Sequence, residues 1–193
     1  KFFSGAVSTD TKATYSFYRP LQMISYAAEY SLWKLDARGY HLVNIVLHIL
    51  TALALFWFIN LLYADIFLAC LTAILFVVHP VHIESVSYIS GLSDTLGALF
   101  IFICLSFYIR SKSYAIVGLT YIAALLSRET GLILPVLILI YHLAFRKKID
   151  FKYFLFILGI TFTYILLRAI FLKPEITWLT SVFQRSLGFF AAL

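Results

Sequence analysis

The chain has 193 residues, 63% of them hydrophobic and 12% charged, with a formal net charge of +6. Soluble domains run closer to half apolar and a quarter charged, so little sequence is left for a water-soluble core, and one membrane domain is the simplest count. The positive charge does not argue for nucleic acid, because the basic residues fall mainly in short loops between apolar runs, where they orient helices.

Residues 1–40 are mixed and rich in aromatics, including Tyr15, Tyr18, Tyr26, Tyr30, Trp33 and Tyr40. Leu21, Ile24, Ala28 and Leu32 recur at helical spacing, which predicts an amphipathic helix in the membrane interface, too short and too polar to cross. Residues 1–40 are therefore assigned to an outward loop.

Six apolar runs follow, and residues 41–172 are expected to form an all-α transmembrane bundle. They cover about His41–Tyr63, Ile66–Val78, Thr95–Ile109, Tyr114–Leu126, Gly131–Phe145 and Tyr153–Leu172. The first matches the roughly 20 residues needed to cross about 30 Å of hydrocarbon. The second and fourth are short, and each stops at a polar motif: His79-Pro80 in one case, Ser127-Arg128-Glu129 in the other. Residues 173–193 are expected to be an outward loop leading into a truncated seventh helix. Cys70 and Cys104 lie inside apolar runs and read as buried thiols that pack as small hydrophobes.

The loop holding Arg110 and Lys112 and the loop holding Arg146, Lys147, Lys148 and Lys152 are separated by an even number of crossings. They share a side, and the positive-inside rule makes it cytoplasmic. The His79–Asp94 and Ser127–Thr130 loops then face outward. Ionisable groups inside a membrane are kept for function or paired, and here they gather on that outward side. His41, Asn44 and His48 share one face of the first run, either as a polar stripe bonded to a neighbouring helix or as the wall of a polar cavity. His79, His82 and Glu84 carry metal-ligand chemistry, yet no further spaced ligand completes a set, and no metal is assigned. Arg128 and Glu129 either pair with each other or leave Arg128 free to meet an anion, which a guanidinium suits well.

These motifs also form a series. Tyr18-Arg19-Pro20-Leu21 comes first, then Gly39 through His48, then His79-Pro80-Val81-His82-Ile83-Glu84-Ser85-Val86, Gly91 through Asp94, and Leu126-Ser127-Arg128-Glu129-Thr130-Gly131. The series resembles the membrane half of the transmembrane-and-tetratricopeptide-repeat protein O-mannosyltransferases and their bacterial relatives. The resemblance implies the C-type glycosyltransferase fold and a polyprenyl-phosphate-linked sugar, here mannose, as donor substrate, with no further cofactor required. It places Arg19 of the basic-Pro-Leu element near the lipid phosphate. Developing phosphate charge calls for cations, and the outward Arg19, His79, His82 and Arg128 are expected to be the donor-phosphate ligands. Glu84 and Asp94 would support catalysis by positioning cations or the acceptor, and His41, Asn44, His48 and Glu129 would line the cavity. The family's acidic residue that serves as base is not matched, since Asp10 lacks the context, so the base is expected upstream of Lys1. Expected partners are the bilayer, the lipid-linked sugar and a protein or glycan acceptor. The membrane would be a bacterial inner membrane or that of the endoplasmic reticulum, with the active face periplasmic or lumenal. A transporter, or a non-catalytic scaffold binding a lipid carrier, is the competing interpretation.

Overall fold

A computed structural model describes residues 19–110 and 113–171. The expected loops before residue 19 and at 173–193 lie outside them. Among the described residues the structure is helical, with no strand.

Helix α1 spans Pro20–Trp33, with Pro20 at its first position, where the missing N–H is no loss. Helix α2 (Ala37–Tyr63) has 27 residues, about 40 Å of rise. Asp36 caps it by accepting a hydrogen bond from the Arg38 N–H (3.0 Å), and Ala64, in the left-handed region at φ 53°, ends it. Helix α3 (Ile66–Val78) is capped by Asp65, whose Oδ1 accepts from the Leu68 N–H at 3.1 Å. It stops at His79 because the residue before a proline is pushed out of the helical region. A 3-10 turn at Pro80–His82 leads into α4 (Ile83–Ser87), and this segment bends away from α3 by 52°. Another 3-10 turn, Ile89–Gly91, opens α5 (Leu92–Arg110). This helix therefore starts before the predicted Thr95 and takes in Ser93 and Asp94. Helices α6 (Tyr114–Ser127), α7 (Leu134–Ala144) and α8 (Phe151–Phe171) complete the set, with a 3-10 turn at Glu129–Ile133 between α6 and α7.

By length and apolar content, three helices can cross a bilayer: α2, the Ile89–Arg110 helix and α8. A fourth crossing results if α3 and the bent Pro80–Ser87 segment count as one broken span, and α6 and α7 are shorter apolar helices. The chain is an integral membrane protein. Exposed apolar side chains such as Leu53, Phe67, Val78, Leu119 and Phe151 then meet lipid rather than water. Cys70 also lies exposed on α3, which corrects its expected burial, whereas Cys104 is fully buried. α3 is an edge helix with only Ala69 buried, so most of its side chains face outward.

Residues 19–164 make one compact unit. In it α5 packs between α2 and α6, and α3 packs on α2. The core lies between α5, α6, α7 and α8, around Cys104, Tyr108, Val117, Tyr121, Ile138 and Ile157. The longer helices α2, α3, α5, α6, α7 and α8 alternate in direction, which brings the ends of α2, α5 and α7 to the starts of α6 and α8. One end of the unit collects Tyr63, Tyr108, Phe145 and Tyr153: Tyr63 lies 5.7 Å from Phe145 and Tyr108 lies 5.2 Å from Tyr153, ring to ring. The starts of α5 and α7 and the ends of α3 and α6 meet at the other end, where the polar motifs lie.

Candidate functional site

Arg19, at the entrance to α1, reaches across the unit. Its Nε and Nη2 donate to Glu129 Oε2 at 3.2 and 3.0 Å, and its Nη1 donates to Ser93 Oγ at 3.1 Å. Arg128 forms an ion pair with Asp94. The pairs interlock, since each guanidinium binds next door to the other's partner: Ser93 and Asp94 on α5, Arg128 and Glu129 at the break after α6. Two local features make this possible. Arg128 is extended (φ −158°, ψ 149°), so its side chain and that of Glu129 leave the backbone on opposite sides. Gly97, one turn after Ser93, leaves room for the Arg128 stem: a Cβ there would stand 3.3 Å from Arg128 Cβ.

The four charged side chains are partly exposed, from 19% for Arg19 to 38% for Asp94. Their formal charges sum to zero. The two guanidiniums are thus each matched by a carboxylate. Arg128 does not pair with its neighbour Glu129 but with Asp94, and Glu129 holds Arg19.

The histidines form a second group beside it. His48 on α2 stacks on Phe76 of α3 at 5.1 Å, Phe76 meets His82 at 4.2 Å, and His82 lies 5.5 Å from His48 and 6.1 Å from His79. His79 Nδ1 accepts from the Val81 N–H at 3.2 Å, which leaves its proton on Nε2. Only Nε2–H can then be offered to an anion. Asn44 fixes the bent segment to α2 by donating to the carbonyls of Tyr88 (2.9 Å) and Val86 (3.4 Å), while its own Oδ1 is buried without a partner among the described residues. The groups connect through Thr51, which lies on the His48 face of α2 and donates to the Thr95 carbonyl next to Asp94 at 3.3 Å.

His41 is half-buried on the same helix face. Glu84 stands apart: it is exposed in a shallow depression with Pro80, Val81, Ile83, Ser87 and Tyr88, and it forms no ion pair among the described residues. Among those residues, too, no three His, Cys, Asp or Glu side chains converge as metal ligands. Ser93 and Phe76 were not singled out from the sequence. Their signals were weak: Ser93 precedes an intramembrane aspartate, and Phe76 stands one turn before His79.

Glu29 on α1 is a further acidic group, 4% exposed, and neither carboxylate oxygen has a hydrogen-bond partner among the described residues. Burial pushes its carboxyl up to about 7.

The fold and this polar end define a polytopic helical membrane protein with a paired-charge cluster at one face. The chain resembles the transmembrane-and-tetratricopeptide-repeat protein O-mannosyltransferase family. It is 32% identical over 146 residues to protein O-mannosyl-transferase F38B6.6 of Caenorhabditis elegans, covering 72% of this chain and 21% of that protein. Protein O-mannosyl-transferase TMTC1 of Homo sapiens is 35% identical over 102 residues, 52% of this chain and 12% of the relative. Protein O-mannosyl-transferase tmtc2 of Xenopus laevis is 37% identical over 115 residues, 58% of this chain and 13% of the relative. The chain thus spans about a fifth or less of the length of these relatives. No family model matches it, and no solved structure does.

Proposed function

We propose that this chain is part of a C-type membrane glycosyltransferase that moves mannose from a polyprenyl phosphate to a protein or glycan acceptor on the outward side. The observation that carries this reading is the interlocked cluster of Arg19, Ser93, Asp94, Arg128 and Glu129. It gathers two guanidiniums from segments 109 residues apart at one end of a helical bundle, the chemistry that a lipid phosphate requires. The names of the relatives support mannosyl transfer. In this reading the bundle crosses the membrane six times, with α6 and α7 completing their crossings through the polar motifs. The outward side is periplasmic or lumenal.

The mechanism follows from charge. Breaking the bond between sugar and phosphate leaves negative charge on the phosphate oxygens, and fixed cations stabilise that charge as it develops. Arg19 and Arg128 hold the phosphate, with His79, through its Nε2–H, and His82 at its rim. Asp94 and Glu129 keep both guanidiniums oriented before the donor arrives. His41, Asn44 and His48 line the cavity, and Glu84 faces the acceptor side. A general base for the acceptor hydroxyl comes from outside this cluster.

Reconstituted protein given labelled polyprenyl-phosphate mannose provides the test. Arg19→Gln and Arg128→Gln should each weaken donor binding roughly ten- to hundredfold, the scale of a lost charge-assisted contact. Unchanged donor affinity in both variants, with thermal unfolding showing both intact, rules out the phosphate assignment. The 52° break after α3 favours a second reading, a transporter with a discontinuous helix. Sugar flux into proteoliposomes without transfer to any acceptor would select it.

A further inference from the structure

The opposite end of the unit carries a different surface. The ends of α5 and α7 and the starts of α6 and α8 converge there on a layer of tyrosines. Tyr108 meets Tyr153 at 5.2 Å, Tyr114 meets Tyr153 at 4.4 Å, and the Tyr153 hydroxyl donates to the Ser113 carbonyl at 3.1 Å. Around this layer stand Arg110, Arg146, Lys147, Lys148 and Lys152, all exposed. The described carboxylates at this end are Asp65 and Asp150, and both serve as helix caps: Asp65 accepts from the Leu68 N–H, and Asp150 accepts from the Tyr153 N–H at 3.3 Å. The cations therefore outnumber the acids, five to two among the described residues.

The basic loop is also clamped. His142 is 4% exposed. Its Nδ1 contacts the Lys147 carbonyl at 3.1 Å and its Nε2 contacts the Tyr108 hydroxyl at 2.7 Å. A carbonyl only accepts, so Nδ1 carries the proton and Nε2 accepts from the tyrosine. The Lys147 N–H donates back to the His142 carbonyl at 3.1 Å. Lys147 Nζ donates to the Tyr141 hydroxyl at 2.8 Å. Arg146, at φ 48°, turns the chain, and Arg146 and Lys148 extend from a fixed backbone rather than a floppy one.

We infer that this surface is a binding site for the headgroup of an anionic phospholipid. With α5 and α8 crossing a bilayer, the cations at their ends fall at the level of the headgroup phosphates, and tyrosines are the side chains that occupy that boundary. Fixed placement reduces the ordering needed on binding. The inference does not rest on the proposed sugar transfer.

Native mass spectrometry of the purified protein, exchanged into an equimolar mixture of phosphatidylglycerol and phosphatidylcholine, reads the preference directly. The wild type should retain phosphatidylglycerol at least tenfold over phosphatidylcholine. Arg146→Gln, Lys148→Gln and Lys152→Gln should each reduce that preference about fivefold, and the triple variant should approach parity. Arg38→Gln, an exposed cation at the other end, should leave it unchanged. Equal retention of both lipids by the wild type overturns the assignment, as does a triple variant that keeps the preference. So does an effect of Arg38→Gln as large as that of a loop variant, which would mean diffuse charge rather than a site.

Discussion

Glu29 lies within electrostatic reach of Tyr26 and Tyr40, and its buried carboxyl finds no donor among the described residues to hold a negative charge. Burial disfavours the ionised form, so the folded protein keeps this proton up to about pH 7, against an ordinary value of 4.5. Over that interval the folded state binds more protons than the unfolded one, and stability must fall as pH rises. The group's contribution is full below about pH 4.5, declines through the window, and levels off above 7. Thermal unfolding in detergent should show the wild type losing stability between pH 5 and pH 8, by at most about 3 kcal/mol. Glu29→Gln should flatten that dependence. Parallel pH profiles for the two proteins would refute the burial argument. The Arg128–Glu129 pair shows the limit of sequence at this scale. Adjacent opposite charges invite mutual pairing, but the break after α6 is extended, and the pleat sends the two side chains to different partners. Only the position of α5 and α1 decides which.

Helix boundaries were largely legible because apolar runs and prolines are local signals. Pro80 marks the end of α3 that the sequence predicts, whereas α2 starts at Ala37, four residues before the predicted His41, because Asp36 caps it ahead of the apolar run. The start of α5 was not legible: Ser93 and Asp94 look like loop residues, and only their cross-unit partners Arg19 and Arg128 make a polar first turn acceptable. Gly91 shows the same dependence on packing. A Cβ at this position would fall 2.7 Å from Ser85 Cα, so the α4 backbone lies directly against it. Gly91→Ala must push α4 away from α5 and should destabilise the protein by about 2–4 kcal/mol. A lowered unfolding midpoint is the expected result. An unchanged midpoint would mean that this close approach does not contribute to stability.

For the whole molecule, alternation of helix direction puts the histidine and arginine clusters at one end and the basic loop at the other. The composition pointed to a membrane protein, and the alternation of charged loops and ionisable motifs along the chain pointed to this division. The pairing across the unit was beyond it, because contacts between residues 19, 93 and 129 depend on three helices meeting. Cysteines introduced at Val81 and Ile149, both exposed, in a background with Cys70 replaced, should react from opposite sides of sealed vesicles. An impermeant maleimide should label one and spare the other. Labelling of both from one side would break the two-ended arrangement.

Arg19 is a tether as well as a charge. It stands where α1 begins, and its bonds to Ser93 and Glu129 hold that helix against the rest of the unit. Any anion that takes over those N–H groups competes with the tether, so occupancy and docking of α1 are linked with opposite sign. A tightly held guest would leave α1 itself loosened.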